Sequence, residues 1–229
     1  MIESLLKNEE IYEGSLVLFK TSRNFVNKLL YLFNIWVWCH VGILLKLNGR
    51  LMILESTHGV PTIDFLTGKK KNGVQLVDFA EKVWNYPGNV VIRPISKKLS
   101  HELNHKIFEF YDKNNFKGFP KGRIDMIYAW YDGPFGENKP KFKESKTSFC
   151  SELIAESLQH LEVLKKDIAS NEFVPDDFSD FDFNKQLLGI KYENSLVHFK
   201  TKIGETKFNP IRKKIEPPSS FLQSVLKYL

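Results

Sequence analysis

The feature that most constrains this chain is a pair of apolar runs joined by Asn48-Gly49. Before the dipeptide stands Ile35-Trp36-Val37-Trp38-Cys39-His40-Val41-Gly42-Ile43-Leu44-Leu45-Lys46-Leu47, and after it Arg50-Leu51-Met52-Ile53-Leu54-Glu55-Ser56. Asn-Gly accepts positive φ at both positions, which the tight turn of a two-residue hairpin requires. The flanking residues are largely apolar, β-branched or aromatic, as strands prefer. The nearly unbroken apolar character of the first run suits a strand covered on both faces. The two runs are therefore expected to pair antiparallel. Pairing about that turn puts Glu55 diagonally across from His40 on the same sheet face, within reach of a long side chain.

A membrane reading of the stretch from Leu29 to Leu45 is weaker. Asn34 and His40 interrupt it, and it is shorter than the roughly 20 apolar residues of a spanning helix. It reads instead as the end of a helix, over about Ser22 to Phe33, followed by the buried strand. The N-terminal residues are acidic and lack the long apolar core of a secretory signal. A cytoplasmic or virion-associated protein is the expectation.

Elsewhere, Leu16-Val17-Leu18-Phe19-Lys20 reads as a short strand after the turn Glu13-Gly14-Ser15, and residues 59–73 as a loop. Val74-Gln75-Leu76-Val77 is short and apolar, and Asn89-Val90-Val91-Ile92-Arg93 is a strand ended by Pro94. Ser100 caps an expected helix with Ile107, Phe108 and Tyr111 on its apolar face. Residues 116–145 have the aromatic, Gly- and Pro-rich pattern of a long loop. A further helix begins near Cys150, with Thr147 or Ser148 as cap and Leu153, Ile154, Ser157, Leu158 and Leu161 inward. Beyond Asn171 come a Pro-Asp-Asp turn, two short strand candidates (Gly189–Glu193 and Leu196–Lys200) and an amphipathic end.

A chain of 229 residues can bury a sizeable core without disulfides or metals. Its formal charge of +6 permits contact with anionic lipid or nucleic acid but demands neither. No nucleic-acid-binding motif is present. Lys69-Lys70-Lys71 and Arg212-Lys213-Lys214 lie beside Gly or Pro and read as solvated loops. Two cysteines exclude a disulfide framework. One bridge between them stays open, although a reducing compartment is the simpler reading.

Cys150 stands in the first turn of its helix. Unsatisfied N–H groups and the positive end of the helix dipole lower a thiol's pKa there and can also hold an oxyanion. His40, mid-strand among apolar residues, is the candidate base. Gly42, two residues on, would leave space beside the imidazole for a substrate. Glu55 is placed by the hairpin to accept from one imidazole nitrogen, leaving the other for the thiol. A zinc site from Cys39, His40, His58 and Cys150 is disfavoured, because adjacent strand residues point to opposite faces and no paired-ligand spacing occurs.

In order along the chain, Gly14-Ser15-Leu16-Val17, Cys39-His40-Val41-Gly42-Ile43, Glu55-Ser56 and Phe149-Cys150-Ser151-Glu152-Leu153 resemble the circularly permuted papain-like amidases of the YaeF/YiiX type. These belong to the NlpC-like superfamily, which includes lecithin–retinol acyltransferases and a poxvirus member. Val174-Pro175-Asp176-Asp177-Phe178 also resembles an element of that family, whereas Ser15 stands where many relatives carry Asp. The resemblance implies an α+β, permuted papain-like fold, with an antiparallel sheet or half-barrel packed against the nucleophile helix. It would occupy residues 1–178, with 179–229 an extension packing on the same domain. It implies a cysteine-dependent hydrolase or acyltransferase acting on an amide, ester or thioester through Cys150, His40 and Glu55 and an acyl-enzyme. The oxyanion donors would be the Cys150 N–H and Tyr128 or Tyr12. No metal or organic cofactor is implied. The partner would be a peptide-like or lipid acyl substrate, with peripheral membrane contact allowed by the charge and no specific nucleic acid. The alternative is a catalytically silent binding module that retains the fold.

Overall fold

The computed structural model describes residues 13–21, 38–58, 62–97, 99–119, 148–194 and 196–199. The expected helix over residues 22–33, most of the long loop, the second lysine cluster and the amphipathic end lie outside these residues. The strands are β1 (Leu16–Thr21), β2 (His40–Leu47), β3 (Arg50–Thr57), β4 (Gly73–Asp78), β5 (Gly88–Arg93) and β6 (Val197–Phe199). They form an open sheet in the order β4-β3-β2-β1-β5-β6, antiparallel at every pairing. Among the described residues three α-helices accompany it: α1 (Phe79–Asn85), α2 (His101–Asn114) and α3 (Cys150–His160). The class is α+β.

The β2–β3 hairpin turns at Asn48 and Gly49, with φ of 49° and 80°. Its ladder runs from Leu47↔Arg50 to Ile43↔Leu54, the register expected from the turn. Beyond Leu54 the strands take different partners. β3 continues to Thr57 along β4, while β2 reaches back to His40 along β1. The open end of the hairpin therefore has a gap in its ladder, and the N-terminus of α3 is held there.

Side-chain alternation divides the core between the two sheet faces. Val41, Ile43, Leu45 and Leu54 pack with Ile107 and Tyr111 of α2 and Leu153, Ile154 and Leu158 of α3. Leu44, Ile53 and Val77 face the other way, onto Phe79 and Val83 of α1. Burying the apolar faces of α2 and α3 contributes on the order of 1.5–3 kcal/mol per large side chain. That term, rather than intrinsic propensity, is what holds such short helices.

Several local expectations need correction. α1 was not anticipated. Its start is marked by Asp78, whose side chain accepts from the Glu81 N–H at 2.9 Å. On α2, Phe110 joins Ile107 and Tyr111 in the core, while Phe108 is only half-buried. The N-cap of α3 is Phe149, not Ser148, and Thr147 lies outside the described residues. A phenyl ring cannot cap, so the Glu152 carboxylate reaches back to accept the Phe149 N–H at 3.0 Å. Residues 189–193 do not form a strand. Tyr192 makes a single bridge to Ile95, and its hydroxyl donates to the Gly14 carbonyl at 2.9 Å. Ser15 serves the same region, its Oγ accepting from the Ile95 N–H. Arg93, buried beneath this segment, donates to the carbonyls of Phe178 and Glu193.

Candidate active site

Cys150 is the first residue of α3, and its helix start is tied to β3 through Ser56, whose hydroxyl donates to the Ser148 carbonyl at 2.6 Å. The start of β2 is fixed separately. The Trp38 N–H donates to Asp176 Oδ1 at 2.7 Å, within the Pro175-Asp176-Asp177 turn singled out in the sequence. The Cys39 N–H donates to the Phe19 carbonyl at 2.9 Å. These two anchors set His40 at the open end of the hairpin, where its imidazole and the Cys150 thiol are close enough to shift each other's titration. The backbone N–H groups of Val41 and Ser151 also face the sulfur. Val41 can take part because the β2–β3 ladder has ended at Ile43.

Glu55 sits on the other side of the imidazole. Its Oε2 lies 2.7 Å from His40 Nε2, which leaves Nδ1 unengaged by the carboxylate. Its Oε1 accepts from Gln75 Nε2 at 2.7 Å and from Lys82 Nζ at 2.6 Å. Glu55 and Lys82 are almost wholly buried, at 0% and 1% exposure, while His40 and Cys150 keep 9% and 8%.

Gly42 has a different role from the one its sequence position implies. A Cβ built there would lie 2.5 Å from Ile53 Cγ2 and 3.1 Å from the Leu54 carbonyl. The space beside the imidazole is therefore filled by β3 rather than open to substrate. The missing side chain lets β3 come close, and that closeness brings the Glu55 carboxylate to His40.

Burial alone would lower the imidazole pKa, but the negative charges of Cys150 and Glu55 outweigh it and raise it to about 9. Burial would likewise raise Glu55, yet the charges of Lys82 and His40 bring it to about 2. Burial pushes the Cys150 thiol up, while His40 and the N–H groups of Val41 and Ser151 pull it down, and the net direction is down. All three shifts favour a thiolate–imidazolium pair backed by an ionised carboxylate.

Neither cysteine is in a disulfide, and Cys39 Sγ donates to the Phe19 carbonyl at 3.2 Å. His58 stacks on Phe119 at 5.9 Å between ring centroids. Among the described residues no three His, Cys, Asp or Glu side chains are grouped so as to hold a metal ion. Tyr12 and Tyr128, the candidate side-chain oxyanion donors, lie outside the described residues. Lys82 and Gln75 were missed in the sequence. A visible signal existed for each: Asp78 three residues before Glu81 marks a helix start that carries Lys82, and Gln75 is a lone polar residue inside an apolar strand.

The fold and this cluster define an α+β protein with a helix-start cysteine joined to a buried histidine–carboxylate pair. No family model and no curated protein matches the chain. A solved structure similar to it is the Escherichia coli O157:H7 metalloprotein yiiX, DUF1105. The two share 16% identity with a TM-score of 0.45, over 68% of this chain and 71% of that one. No helix among the described residues is long and apolar enough to cross a membrane.

Proposed function

We propose that this chain is a cysteine-dependent acyl hydrolase or acyltransferase on a permuted papain-like fold, with Cys150 as nucleophile, His40 as acid–base and Glu55 as the residue that orients it. The observation that carries this reading is the buried cluster of Cys150, His40 and Glu55, with the thiol at a helix N-terminus beside the imidazole and His40 Nε2 held 2.7 Å from the carboxylate.

The Cys150 thiolate attacks an amide, ester or thioester carbonyl. The helix N-terminal amides are placed to stabilise the oxyanion that forms. The His40 imidazolium protonates the leaving group from Nδ1. As a neutral base it then takes a proton from water or from an acceptor, which attacks the acyl-enzyme and regenerates the thiol pair. Glu55 holds the ring in one orientation and stabilises its positive charge throughout. The substrate is a peptide-like or lipid acyl group.

The test is turnover of acyl-peptide, isopeptide and phospholipid ester substrates by the full chain, with Cys150→Ala as control. Activity abolished by that substitution supports the reading, and activity that survives it refutes the mechanism. The silent binding module is separated by iodoacetamide labelling of Cys150. Alkylation well below the ordinary thiol pKa of about 8.5 is expected of a nucleophile, and an ordinary profile favours the module.

A further inference from the structure

A buried charge in direct contact with the proposed triad has no part in it. Lys82 is 1% exposed, and its ammonium lies 2.6 Å from Glu55 Oε1, the oxygen that does not face His40. It approaches from α1, on the opposite side of the carboxylate from the imidazole. The groups facing Glu55 are His40 from β2, Gln75 from β4 and Lys82 from α1. Among the described residues, those that act on the Cys150 thiol are His40 and the backbone of Val41 and Ser151. The Phe19 ring packs near both cationic groups, 5.8 Å from Lys82 Nζ and 5.1 Å from the His40 ring. Asp78 is occupied in capping α1.

Charges alternate along this line: ammonium, carboxylate, imidazolium, thiolate. With all four in place the cluster is neutral, as a buried group of ions must nearly be. Without Lys82 the carboxylate has two fates. It stays ionised, leaving a net negative charge that opposes formation of a second anion on Cys150. Or it takes up a proton, and the imidazolium loses its counter-charge. Both make the thiolate form at higher pH.

We propose that Lys82 is a positioning residue of this site: its bond to Glu55 Oε1 keeps the carboxylate ionised and aimed at His40, and thereby sets the pH above which Cys150 is reactive. This rests on the cysteine-nucleophile reading above. A lysine that only filled space behind the sheet would stabilise the fold without moving the reactivity profile of a thiol on another helix.

The test is the pH dependence of Cys150 alkylation by iodoacetamide, read on the Cys150 peptide by mass spectrometry so that Cys39 does not contribute. Full-length wild type, Lys82→Met, Glu55→Gln and the double variant are compared, with folding checked by circular dichroism. The midpoint in Lys82→Met is expected to rise by roughly one pH unit, about tenfold slower alkylation on the acid side. In the Glu55→Gln background the same substitution should add nothing, because the residue it acts through is gone. An unchanged midpoint in folded Lys82→Met overturns the proposal. So does a double variant displaced from Glu55→Gln as far as Lys82→Met is from wild type. If Lys82→Met does not fold, Lys82→Gln, which keeps a hydrogen-bond donor but no charge, takes its place in the same comparison, with the same raised midpoint expected and an unchanged one overturning the proposal. A wild-type midpoint at about 8.5 is a separate result, which removes the nucleophile reading itself.

Discussion

Replacing Gly42 by alanine gives opposite signs under the two roles considered for that residue. Glycine inside a strand costs about 0.5–1 kcal/mol relative to alanine, because the unfolded chain gains more freedom. Were the space beside His40 open, Gly42→Ala would stabilise the protein by roughly that amount. The structure instead puts the new Cβ 2.5 Å from Ile53 Cγ2, 3.1 Å from the Leu54 carbonyl and 3.6 Å from Glu55 Cβ. Ile53 is fully buried and cannot swing away, and the Leu54 carbonyl is backbone. The strands must then part, and overpacking of this kind costs about 1–3 kcal/mol. For a chain of this size the melting temperature should fall by roughly 2–12 °C. Thermal or urea unfolding followed by circular dichroism measures it. In an Ile53→Ala background, where the nearest obstacle is gone, the added cost should shrink by at least about 0.5 kcal/mol. The same parting of strands should weaken the His40–Glu55 bond, and the imidazole pKa followed by NMR should drop from about 9. A Gly42→Ala protein as stable as wild type or more so would refute the close-approach argument.

Three further outcomes follow from the same geometry. Glu55 titrates at about 2 when folded against 4.5 when free, so its contribution is complete above pH 4.5 and lost as pH falls toward 2. Unfolding free energies should lose on the order of 3 kcal/mol over that window, and Glu55→Gln should flatten this part of the profile. Capping Cys150 with iodoacetamide removes the negative charge that most raises His40, so the imidazole pKa of the alkylated protein should lie below about 9 by NMR. Ser56→Ala deprives the buried Ser148 carbonyl of its 2.6 Å donor. It should cost about 1–3 kcal/mol in urea unfolding, and slow Cys150 alkylation by loosening the start of α3.

Local rules made much of the scaffold legible. Asn48-Gly49 imposes a turn whose two central residues both need positive φ, and that turn sets the strand register without help from elsewhere. Because side chains alternate along strands, the register alone puts His40 and Glu55 on one face and in diagonal contact. Ser100 was readable as a cap because its Oγ accepts the Leu103 N–H three residues on, a contact confined to one helical turn. The inward residues of α3 were readable for the same reason, since helical periodicity repeats over short distances. Gly189–Glu193 misled because it has strand-like composition, but the hydroxyl of Tyr192 and the carbonyl of Glu193 are committed to Gly14 and Arg93.

The sequence by itself determined the hairpin, the side-chain pair it carries and the helix that begins at Cys150, because each depends on residues close together in the chain. Tertiary structure decided what surrounds them. Only the folded sheet brings Lys82 and Gln75 behind Glu55, and Ser56 beneath the start of α3. Only the interlocked β2 and β3 turn Gly42 from an open space into a point of close approach. Only the early end of the β2–β3 ladder frees the Val41 N–H to face the Cys150 sulfur. Each is a contact between strands or layers, where burial and opposite charge over a few ångströms outweigh anything a local pattern can encode.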